Sequence, residues 1–119
     1  MIKPIRIVDE NKELELYTGI FSIYVLGGWD VVVENFTFTL TNKKSGKVIN
    51  PKITQWRNQS YEFGEKAKKI MTLDIPERGI YLIEFKNQNN LKVWKASFPY
   101  INRLFAQPIE KQWIQICIK

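Results

Sequence analysis

The 119-residue sequence predicts an all-β fold, an antiparallel β-sandwich formed as a single domain over residues 1–119. Three observations carry that prediction. Aromatic residues make up 13% of the chain and alanine occurs only at Ala67, Ala96 and Ala106, a composition that suits pleated, half-buried strands better than helices. Apolar side chains repeat with period two in several segments. Turn signals separate these segments at intervals of roughly 10 residues, which gives about seven to nine strands. With 45% apolar and 25% charged residues, a chain of this length can build a core without metal or disulfides.

The elements follow in order. Ile2 to Val8 reads as an edge strand, since Pro4 cannot donate to a ladder, and Glu13 to Tyr17 as a short one. Gly19 opens a strand through Ile23. Gly27-Gly28 marks a turn or bulge ahead of Val31-Val32-Val33. In "ENFTFTLTNKKSGK", Phe36, Phe38 and Leu40 alternate with Thr37, Thr39 and Thr41, and Gly46 supplies a turn residue able to adopt positive φ. Val48 to Thr54 is then the return strand of a hairpin, with Pro51 marking an edge or a bulge. Met71, Leu73 and Ile75 share one strand face. A second hairpin is expected from Gly79–Lys86 and Leu91–Ser97 around the turn "NQNN", with Tyr81, Ile83 and Phe85 on one face. "FPYINRLFAQP" places apolar residues at helical spacing, so a short helical or loop excursion is expected near residues 99–108, covering the open end of the sandwich. Ile114, Ile116 and Ile118 share one face of a last strand, with Cys117 on the opposite face as a small, partly buried hydrophobe.

One phrase occurs twice. Leu14 and Leu16 precede Gly19-Ile20-Phe21-Ser22-Ile23 as Leu73 and Ile75 precede Gly79-Ile80-Tyr81-Leu82-Ile83. A strand, a glycine corner and an inward aromatic make a turn between strands or sheets, and two such units suggest two halves facing each other. The stretch "IPERGIYLI", with its echo at Gly19, resembles immunoglobulin-like or jelly-roll accessory domains. That resemblance covers about ten residues, implies only the sandwich architecture, and brings no catalytic or ligand residues with it.

Several chemistries are excluded. The chain contains no histidine, which removes Ser-His-Asp and Cys-His catalysis and His-ligated metals. Its single cysteine, Cys117, removes intrachain disulfides and thiolate metal clusters. The carboxylate pairs Asp9–Glu10 and Glu62–Glu65 have no spacing that sets them across a cleft, as glycoside chemistry requires. "GEKAKK" lacks the glycines and the Lys-Ser/Thr of a phosphate loop, and no cofactor motif is present. No enzymatic activity, metal or cofactor is expected. The start of the chain lacks the apolar core of a leader, so a cytoplasmic location is expected.

Binding features remain. The chain carries 18 basic and 12 acidic residues, a net charge of +6, with lysines gathered beside the expected turns. Trp56 with Arg57 and Asn58 unites an aromatic platform with polar donors, a pattern suited to a partner side chain or a sugar. Trp94 between Lys92 and Lys95 has the composition of a nucleic-acid contact. Tyr100, Arg103 and Phe105 would form an apolar patch with a basic border if exposed. The leading expectation is a non-enzymatic protein–protein interaction module, of the small inhibitor, immunity or phage assembly kind. The alternatives are a basic nucleic-acid or polyanion binder and a carbohydrate-binding sandwich. Dimerisation through an edge strand, at Ile2–Val8 or Val48–Thr54, is compatible with the pattern.

Overall fold

The computed structural model describes residues 2–96, 102 and 104–119. The fold is almost entirely β, with antiparallel sheets packed against each other. Twelve strand segments occur among the described residues, more than the sequence reading counted, because several are only two or three residues long.

One sheet contains β1 (Ile5–Arg6), β12 (Gln115–Ile118), β3 (Gly19–Leu26) and β9 (Glu65–Ile75), in that order. β7 (Lys52–Ile53) and β8 (Gln59–Glu62) both pair with β9 at its far edge. The second sheet runs β2 (Lys12–Leu16), β10 (Gly79–Lys86), β5 (Thr37–Asn42), β6 (Val48–Ile49). β4 (Asp30–Val32) and β11 (Lys92–Trp94) form a separate two-stranded ladder. Ile23, Val25, Met71, Leu73, Ile75, Ile116 and Ile118 from the first sheet meet Leu14, Leu16, Phe38, Leu40, Tyr81 and Ile83 from the second in one core. The alternation along β5 is as expected: Phe38 and Leu40 are buried, while Thr37, Thr39 and Thr41 are half-buried. Burial of a side chain of this size stabilises by about 1.5–3 kcal/mol, so the period-two pattern decides which face turns inward.

The repeated phrase has a definite place. β2 and β10 are neighbours with Leu16 opposite Gly79, and β3 and β9 are neighbours with Gly19 opposite Ile75. Each corner therefore carries the chain from one sheet to the other, and the two corners lie side by side rather than forming two opposed halves. Arg78 ties them: its guanidinium sits 4.6 Å from the Tyr17 ring centroid and 3.4 Å from a Glu15 carboxylate oxygen. Tyr81 anchors the second corner, donating its hydroxyl to the Glu77 carbonyl at 2.7 Å from a fully buried position. Tyr81→Phe leaves that carbonyl without this donor, and is expected to cost about 1 kcal/mol in urea denaturation. An unchanged midpoint would show that the bond contributes nothing.

Two pairings differ from the sequence reading. β5 and β6 do form the first hairpin, with Leu40 opposite Ile49. The segment Val48–Thr54, however, is not one return strand. It leaves β5 at Asn50-Pro51 and joins β9 in the other sheet as β7. Proline lacks the N–H that would continue the first ladder. The second expected hairpin does not form. Both edges of β10 are taken, by β2 and β5, so the chain turns through a 3₁₀ turn at Gln88–Asn90 and pairs β11 with β4 instead.

The excursion expected near residues 99–108 lies partly outside the described residues. Asn102, Leu104 and Phe105 have helical backbone, and the Ala106 N–H donates to the Asn102 carbonyl at 3.0 Å. Leu104 and Phe105 are exposed, so they do not cap the sandwich as expected. No described helix is long and apolar enough to cross a membrane.

Candidate binding surface

Trp56, Arg57 and Asn58 sit on the loop between β7 and β8, and all three are exposed. The loop is pinned at both ends to the same strand: the Thr54 N–H donates to the Ile70 carbonyl at 3.1 Å, and the Lys69 N–H to the Asn58 carbonyl at 3.0 Å. Between these points the Trp56 N–H finds Thr54 Oγ1 at 3.1 Å, which shapes the turn. The indole stands 80% exposed, and Ile53, three residues earlier on β7, is exposed as well.

The second predicted cluster is not assembled. Trp94 is only 6% exposed and directs its Nε1–H toward the Ala106 carbonyl at 3.4 Å. Its flat face is therefore not open to a base, which corrects the reading of Lys92, Trp94 and Lys95 as a stacking site. The physical reason is the β4–β11 ladder, which presses Trp94 opposite Asp30. Lys92 and Lys95 are exposed, without that platform. Phe105 is exposed on the excursion, whereas its expected companions Tyr100 and Arg103 lie outside the described residues.

Trp29 falls between these cases. It is half-buried, donates Nε1–H to the Ser60 carbonyl at 3.1 Å, and meets Tyr61 edge-on with ring centroids 5.3 Å apart. The exposed Tyr61, Phe63 and Trp113 were not singled out from the sequence. Tyr61 lies on the β8 arm, whereas Phe63 sits with Gly64 in the turn between β8 and β9 at positive φ, which local alternation does not reveal.

The carboxylates form no acid–base pair across a cleft. Asp9 is bonded to Arg6 at 3.0 Å. Glu62 and Glu65 are cross-strand neighbours in the β8–β9 hairpin. Glu62 is buried, accepting from Lys119 Nζ at 2.9 Å and from Ser60 Oγ at 2.7 Å. The Lys119 ammonium first, and the Ser60 hydroxyl second, hold the Glu62 carboxyl below its ordinary value of 4.5. Because the folded pKa is depressed, the stabilisation is present above the unfolded carboxylate range and disappears as pH falls below 4.5 through the folded value. Glu62→Gln is therefore expected to lower Tm at neutral pH and to leave it nearly unchanged well below that range. A deficit independent of pH would contradict the assignment.

Burial pushes the Cys117 thiol up to about 11, with the Glu62 charge adding to the shift. The thiol is thus protonated at neutral pH, packed with Leu26 and Ala67 under Tyr24, and chemically quiet. Among the described residues no group of three or more His, Cys, Asp or Glu side chains is placed to hold a metal ion.

The fold and the surface together define an all-β protein of packed antiparallel sheets whose most exposed indole stands on a loop pinned to one sheet edge. No protein-family model, curated protein or solved structure matches the chain.

Proposed function

We propose that the protein is a non-enzymatic protein-binding module that presents the edge formed by β7 and the β7–β8 loop to its partner. The observation that carries this reading is Trp56, 80% exposed on a loop whose two ends are bonded to β9. Tryptophan and arginine dominate the binding energy of protein interfaces, and here they are adjacent, with exposed Ile53 extending the apolar surface. A loop pinned at both ends also loses less conformational freedom on binding than a free one, which favours affinity.

The test is capture from a lysate of the source organism by wild type and by Trp56→Ala, with nuclease treatment and at moderate salt. A stoichiometric protein partner retained by wild type is expected, with affinity lowered at least about 30-fold by Trp56→Ala at an unchanged melting temperature. Equal capture by both forms, or recovery of nucleic acid alone, would overturn the proposal.

A further inference from the structure

We infer that the β8–β9 hairpin carries a separate site for single-stranded nucleic acid, built from Tyr61 and Lys66 against the Trp29 indole, with Lys68 and the adjoining Lys95. This inference does not rest on the Trp56 loop.

The register sorts the hairpin by charge. Tyr61 is opposite Lys66 and Gln59 is opposite Lys68, so these four side chains share one face. Ser60, Glu62, Glu65 and Ala67 occupy the other. Glu62 is engaged there by Lys119, and Asp30, on the neighbouring β4, is buried and accepts from Asn102 Nδ2 at 2.8 Å. The aromatic-and-lysine face of the hairpin is thus free of the hairpin's own carboxylates.

The lysines are also held in place. Lys66 Nζ lies 5.0 Å from the Trp29 ring centroid and 3.4 Å from the Lys95 carbonyl oxygen, while Lys68 Nζ donates to the Trp29 carbonyl at 3.0 Å. Lys66 thus lies against the indole, Lys68 is bonded to the Trp29 backbone, and Lys95, one residue past β11, adjoins Lys66 through its carbonyl. Strand geometry sets Lys66 and Lys68 about 7 Å apart, comparable to neighbouring phosphates along an extended strand. Tyr61, 64% exposed, leaves ring surface open beside them. An acidic peptide supplies anions but no planar group for that ring. A single strand supplies phosphates and bases in alternation, which matches lysines and an aromatic on one face.

The test is fluorescence anisotropy with a labelled 15-nucleotide oligo-dT, titrated at several salt concentrations. Wild type is expected to bind, with log K falling against log[salt] at a slope of about −2 if three phosphates are neutralised. Tyr61→Ala should weaken binding by about 5- to 150-fold, whereas Tyr61→Phe, which keeps the ring, should bind as wild type does. Lys66→Gln with Lys68→Gln should make the slope shallower by about 1.4. Trp56→Ala should bind oligo-dT unchanged, so failure of this site and failure of the protein-binding edge are distinguishable. No binding at low salt, equal affinity for poly-glutamate, or an unaffected Tyr61→Ala variant would each overturn the inference.

Discussion

Gly28→Ala is expected to destabilise the protein by about 3 kcal/mol, at the upper end of the overpacking range. A Cβ at residue 28 would lie 1.9 Å from the Trp94 carbonyl oxygen and 2.8 Å from its carbon. Neither atom is the tip of a flexible side chain. Both belong to the backbone of β11, which is paired to β4 through Val93–Val31 and Trp94–Asp30. Relief therefore requires the ladder to shift, and with it the buried Val31, Val93 and Trp94. Denaturation should show a lower midpoint, and the fluorescence of the native variant should shift to the red as the Trp94 indole gains water. A variant with wild-type stability would mean that β11 does not approach Gly28 this closely.

Phe38→Ala is expected to cost more, about 3–5 kcal/mol, because it removes a fully buried ring from near the start of β5. Set against a total stability of about 5–15 kcal/mol, that brings the domain close to unfolding. The ring meets Phe85 edge-on with centroids 6.0 Å apart, and Phe85 in turn stacks on Phe36 at 6.1 Å. A double-mutant cycle between Phe38→Leu and Phe85→Leu should therefore yield a coupling of about 0.5–1.5 kcal/mol beyond the loss of buried area. Strict additivity would show that the two rings contribute only through the area they bury.

These two residues differ in how readable they were. Phe38 announces itself through the alternation with threonine, since a strand with one wet face must place every second side chain inward. Gly28 was legible only as a turn or bulge. The reason it must be glycine is the carbonyl of Trp94, 66 residues later, and no local pattern contains that atom. The candidate sites divide in the same way. Trp56 among polar neighbours stands exposed on its loop, while Trp94 among lysines looked similar in the sequence and is buried. The difference lies in the strand that each neighbours: β9 leaves the Trp56 loop outside the sheet, and β4 covers Trp94 by pairing with it.

What the amino-acid order alone determined was the fold class, the inward faces of the regularly alternating strands such as β5, and the exclusion of histidine chemistry. All of these are local or compositional properties. Partner choice belonged to the tertiary structure. β10 could not return to β11 because its two edges were already occupied, and Pro51 passed the chain between sheets. The most consequential decision was a bulge. β3 and β9 slip register between Ile23 and Tyr24, so Ile23 faces Met71 while Tyr24 faces Lys69, leaving Ile70 as the extra residue. Ile70 and Met71 are both buried, and beyond them the alternation of β9 is reversed. That reversal turns Lys66 and Lys68 toward Trp29 and Tyr61, and Ala67 toward Cys117. An unbroken period of two would have placed Ala67 and Lys69 on the inward face instead. A bulge depends on the packing of two strands against a common core, and that is settled only when the whole chain has folded.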